Sequence, residues 1–164
     1  MKNFLISLFM ILITGCANQA PKPLTDVEKE TIKNDVKKEL LGMIEACNKI
    51  DIETALTYFL DSPDFSCIVP DGGIMDFAQF KKANEDMFNA AKSIKNTIVK
   101  EDIKVLGNDQ VLDIWQYNAE IILNSGEKFV YDKATVTCLY KKIEGVWKIV
   151  FMHESSLPPV IIKL

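Results

Sequence analysis

Between residues 97 and 153 the chain holds four long runs rich in β-branched and aromatic residues, separated only by short turn-like stretches. The runs are Thr97–Leu106, Gln110–Leu123, Lys128–Lys142 and Val146–His153, and the separators are built on "GND", "NSGE" and "EG". A parallel connection needs a crossover of a dozen residues or more, so turns this short force neighbouring strands to run antiparallel. The second half of the chain therefore reads as a meander, and whatever precedes it must supply the cover for one face of that sheet.

The first half supplies helices. Thr25 and Glu28 have the spacing of a capping box, in which each side chain bonds the other's backbone amide. Behind it Ile32, Val36, Leu40, Ile44 and Cys47 recur every three or four residues, which predicts one amphipathic helix from Asp26 to about Asn48. Asp51 caps a short second helix with Ile52, Ala55, Leu56 and Phe59 on its apolar side, and "DSPDF" (residues 61–65) stops it. A short strand over Phe65–Val69 leads into the turn "PDGG". Asp76 and Gln79 form a second capping box, with Met75 and Phe80 placed as a hydrophobic staple, so a third helix begins there. Helices gathered first and strands last give an α+β class, with three N-terminal helices packed on an antiparallel sheet.

The opening residues carry a different message. "MKNFLISLFMILITGC" has one lysine, a stretch of about ten residues that is apolar but for Ser7, and then small residues, which is the pattern of a secretory signal and too short for a spanning helix. Its end, "ITGC" (Ile13 to Cys16), resembles the lipobox of bacterial lipoproteins. The resemblance implies cleavage before Cys16 and acylation of its thiol, hence a membrane partner through a lipid anchor. Ala17, where an aspartate would favour the inner membrane, points to the outer one. Residues 1–16 are thus expected to be a signal with its lipidation cysteine, 17–24 ("ANQAPKPL") a proline-bearing tether, and 25–164 the folded domain.

With Cys16 acylated, Cys47, Cys67 and Cys138 are an odd number without metal-ligand spacing, and they read best as small buried hydrophobes. One disulfide among them is the secondary reading. The net charge is −4, and all 19 cationic side chains are lysine. Lacking arginine's bidentate fork, and without a basic run, the chain is not expected to bind nucleic acid. One histidine and scattered carboxylates offer no metal site, no phosphate loop occurs, and no cofactor is expected.

The order of elements, with "DIETALTYF" (residues 51–59), "PDG" (70–72) and "TCLYKKIEGVWKIVFMHES" (137–155), resembles the SnoaL-like and ketosteroid-isomerase-like branches of the nuclear transport factor 2-like fold. The resemblance covers roughly Asp26 to Leu157. It implies a cone-shaped curved antiparallel sheet that closes with its helices around an apolar cavity, and a homodimer formed through the sheet. Isomerase roles do not carry over. The base position before the turn proline is Val69, and the oxyanion tyrosine position on the first helix is Met43.

Strict alternation along the last strand puts Trp147, Ile149, Phe151, His153 and Ser155 on one face, against Lys148, Val150, Met152 and Glu154. On the second long strand Trp115, Tyr117 and Ala119 share a face. The candidate pocket is therefore Tyr58, Trp115, Tyr117, Trp147 and His153. His153, the only imidazole, is the one candidate acid/base, with Glu120 or Asp61 as a partner across the cavity. A histidine merely hydrogen-bonded near a strand end is the plainer reading, so the sequence favours a non-catalytic domain binding an apolar small molecule or a partner. A SnoaL-like isomerase, dehydratase or hydrolase using His153 is the alternative, and a dimeric scaffold the third.

Overall fold

The computed structural model describes residues 22–164; the expected signal and lipobox and most of the expected tether lie outside the described residues. The chain is an α+β fold in which three helices pack into the concave side of one curved seven-stranded sheet. Helix α1 spans Asp26–Asn48, α2 Ile52–Leu56 and α3 Phe77–Ala90. Strand β1 is Ser66–Ile68, β2 Ile74–Met75, β3 Ala91–Val105, β4 Gln110–Leu123, β5 Glu127–Ile143, β6 Val146–Ser155 and β7 Val160–Lys163. The sheet order is β2-β1-β6-β5-β4-β3, with β7 beside the first residues of β5.

Both capping boxes form, Thr25 with Glu28 and Asp76 with Gln79. Asp51 accepts the Thr54 amide at the head of α2. The stripe on α1 buries Ile32, Val36, Leu40, Met43 and Ile44 against the sheet. Each such side chain removed from water contributes about 1.5–3 kcal/mol, far more than the helix's own propensity. Tyr58 packs over Gly42 of α1, where a Cβ would collide with the phenol oxygen, so glycine is what admits the ring.

β3 to β6 form the expected meander, but two irregularities decide which side chains face the helices. In β6 the register shifts between Leu139/Phe151 and Tyr140/Ile149, leaving Val150 as an extra residue. The cause lies on the other side of the strand. Ile149 exchanges two 2.9 Å backbone hydrogen bonds with Tyr58 and Leu60, whereas from Phe151 onward the partner is the parallel strand β1. The hand-over between these two partners takes up one residue, a β-bulge. A second irregularity falls between Tyr117/Ala134 and Ala119/Tyr131, where Asn118 Oδ1 accepts the Lys133 amide at 2.9 Å and Lys133 has φ 55°.

The narrow end of the cone is solid core. Val36, Leu40, Val111, Cys138, Tyr140 and Ile149 are all but inaccessible there. Among them sits Asp113, fully buried, with no hydrogen-bond partner on either oxygen among the described residues. Burial, then the carboxylates of Glu101 and Asp102, push its pKa up to about 7 against a smaller opposing pull from Lys37. Glu101 itself pairs with Lys37 at 2.9 Å.

Candidate ligand cavity

Toward the wide end the helices and sheet part around a hollow of about 350 Å³. Met43, Ile44 and Cys47 of α1 form one wall, Phe80, Ala83 and Met87 of α3 another, and Trp115, Tyr117, Ala119, Val136 and Met152 the sheet floor. The volume lies within the roughly 300–1,000 Å³ of ordinary small-molecule sites, and the wall is apolar with a few polar groups, as such sites are.

One polar pair stands in this wall. Tyr117 Oη donates a 2.6 Å hydrogen bond to Glu154 Oε1, spanning from β4 to β6 across β5. Burial first, and then the charge and hydrogen bond of Glu154, raise the Tyr117 phenol well above its ordinary range. Tyr131, also on the wall, is raised by the same two causes, burial and the Glu154 charge. Trp115 lies against Tyr117, ring centroids 5.1 Å apart at 42°. Cys47 reaches the wall with its thiol pushed up to about 11 by burial, so it is an inert filler and not a nucleophile. All three described cysteines are free thiols, and Cys67 and Cys138 are buried.

Of the five residues predicted to line the pocket, the structure brings two to it. Trp115 and Tyr117 are on the wall, while Tyr58, Trp147 and His153 are not. Tyr58 is spent on Gly42. Trp147 is buried in the core of the narrow end, under the ammonium of Lys142 at 5.4 Å. His153 is exposed on the outer face of the sheet, opposite Thr137. The bulge at Val150 is the reason. Trp147 and Ile149 point inward, but beyond the extra residue Met152 and Glu154 do, and the imidazole turns away. The suggested partners of His153 are also elsewhere: Glu120 is paired with Lys128 at 2.9 Å, and Asp61 borders a shallow groove beside α2. Glu154 thus takes the place that alternation assigned to His153. The signal for it was present, because Val150 and Met152 are apolar where the outer face should have stayed polar.

Val69 and Met43, the positions of the isomerase base and oxyanion donor, do line the hollow, and both are apolar. Those two isomerase roles therefore stand empty here. Among the described residues no cluster of three or more His, Cys, Asp or Glu side chains could hold a metal ion. No helix of the described residues is long and apolar enough to cross a membrane.

An α+β cone of this topology has the nuclear transport factor 2-like fold, and solved structures superpose on it. A protein assigned as a dehydratase of the NTF2-like family, from Streptomyces avermitilis, is 17% identical with a TM-score of 0.69, over 79% of this chain and 98% of that one. A protein assigned as a scytalone dehydratase, from Novosphingobium aromaticivorans, gives 8% and 0.72 over 85% and 92%. A hexachlorocyclohexane dehydrochlorinase from Novosphingobium barchaimii gives 13% and 0.66 over 84% and 94%. At these identities the likeness is one of fold. Residues 36–160 match the SnoaL-like domain family, and the chain belongs to it. No curated protein matches the chain in sequence.

Proposed function

We propose that this chain is an envelope-tethered binding domain that takes up a small, largely apolar molecule in the hollow between its helices and sheet. The observation that carries the reading is a largely apolar wall of ring and aliphatic side chains, with Asn84 and Asn96 at it and one polar pair, Tyr117–Glu154, hydrogen-bonded across the sheet. Native mass spectrometry of the full chain is the test. A bound small molecule should accompany the wild type and be absent from Ala119→Trp, whose indole would fill the hollow. Identical, ligand-free spectra for both would sink the proposal.

An enzymatic reading is favoured by one further feature. Tyr117 and Glu154 are an acid and a base facing a hydrophobic chamber, and all three of the proteins above are named for elimination reactions. In that reading Glu154, not His153, takes the proton. Glu154→Gln would abolish turnover of a test substrate that His153→Gln still converts, and the reverse pattern would reject it.

The tether and the assembly belong to the same proposal. Acylation at Cys16 would hold the domain on the outer membrane, and labelled palmitate should enter wild type and not Cys16→Ser. The outer face of the sheet leaves Leu112, Ile114, Leu139 and Phe151 half-buried and β7 exposed, an apolar surface suited to a second copy.

A further inference from the structure

Among the described residues, the one carboxylate in the cavity wall, Glu154, has no compensating cation. Glu154 uses Oε1 to accept from Tyr117; among the described residues Oε2 takes no hydrogen bond and no lysine pairs with the group. No lysine lines the hollow, and the chain contains no arginine. Three aromatic rings share the wall with the carboxylate: Trp115 and Tyr117, in tilted contact with each other at 5.1 Å, and Tyr131.

These features discriminate among apolar ligands by their polar end. A carboxylate or phosphate would meet a like charge with no lysine or arginine on the wall to neutralise it. A neutral hydroxyl could donate to Oε2 and gain an ordinary hydrogen bond. A protonated amine gains more, because its N–H donates to an ionised acceptor, and such bonds are roughly twice as strong as neutral ones. Its charge is also attracted to the negative ring faces beside it. Carboxylate plus aromatic faces in an otherwise apolar chamber is therefore the chemistry of ammonium recognition.

Resting on the reading that the hollow is a ligand site, we infer that its ligand is a lipophilic ammonium ion, an apolar body whose single protonated nitrogen meets Glu154 Oε2 between Trp115, Tyr117 and Tyr131. Glu154 and the three rings then set specificity, and the remaining wall sets size.

Titration calorimetry of the full chain with three compounds of one shape tests this: cyclohexylmethylammonium, cyclohexylmethanol and cyclohexanecarboxylate. The wild type should bind the amine about tenfold more tightly than the alcohol, and the carboxylate more weakly than either. In Glu154→Gln the amine and alcohol should converge to within about twofold, and Tyr131→Leu should narrow the gap in part. The wild-type ranking requires no substitution, so it stands even if a variant folds poorly. An alcohol that equals or exceeds the amine overturns this inference and leaves the ligand-site reading intact, as does an amine preference that survives Glu154→Gln. No binding of any of the three, with Ala119→Trp giving the same blank, overturns the ligand-site reading and this one together.

Discussion

Replacing Asp113 with asparagine should remove a large acid-side stabilisation that the wild type loses on the way to neutral pH. The side chain is fully buried and neither of its oxygens is hydrogen-bonded among the described residues, so the folded state holds it as the neutral acid. Its pKa rises from an ordinary 3.8 to about 7, chiefly through burial and then through Glu101 and Asp102, with Lys37 opposing. A raised carboxyl contributes its full stabilisation below the unfolded value. Between about pH 4 and pH 7 the unfolded chain ionises while the folded one stays protonated, so stability falls across that window. Three pH intervals at about 1.4 kcal/mol each amount to about 4 kcal/mol, or roughly 10 °C in Tm for a domain of this size. Asparagine does not titrate, so its burial costs the same at every pH. Urea melts of both proteins at pH 4.5, 5.5, 6.5 and 7.5 isolate the term, because titrations of groups not coupled to Asp113 cancel in the difference. Stability of Asp113→Asn relative to wild type should climb by about 1.4 kcal/mol per pH interval and level off above pH 7. A difference constant within about 0.5 kcal/mol would refute the reasoning, since it requires Asp113 to be ionised in the fold.

Other outcomes are equally direct. Tyr140→Phe removes a buried hydroxyl that has no partner among the described residues, and should be neutral or stabilising by up to about 1 kcal/mol in urea melts; a loss above 1 kcal/mol would mean the hydroxyl is bonded. Leu40→Ala, at a wholly buried position on α1, should cost about 2–5 kcal/mol by the same assay, and a cost below 1 would contradict the packing. Leu139→Lys on the outer face should turn the proposed dimer into a monomer by light scattering with an unchanged circular dichroism spectrum; a wild type that is already monomeric removes the dimer instead. Thr25→Ala should lower stability by about 1 kcal/mol through loss of the first capping box, measured by thermal melting.

How far the sequence could be read depended on whether each signal was local. Helix α1 and strand β4 have the predicted ends, because a capping box, a helical stripe and flanking turns are all written within the segment. β3 begins at Ala91, not Thr97, since α3 runs straight into it without the glycine or proline that normally marks such a junction. β2 and β7 are two and four residues long and exist only through their partners, Cys67–Ile68 and Glu127–Val130. The site suffered most from a non-local cause. Trp115 and Tyr117 lie on the wall because β4 is regular as far as Tyr117. His153 lies outside it because a segment almost a hundred residues earlier hands β6 from one backbone partner to another. Asp113 shares the inward face of Trp115 by simple alternation, and its burial was available from that parity alone.

The extra residue at Val150 also changes how this family should be compared. Two chains can share the same tryptophan-to-histidine spacing in this strand and still present opposite chemistry to whatever they hold, an acid in one and an imidazole in the other, according to whether a single backbone step is skipped. Aligning letters will pair those histidines as equivalents when only one of them faces the hollow. For anyone redesigning this scaffold, the register of one strand is a control over the polarity of its interior that leaves every amino acid in place.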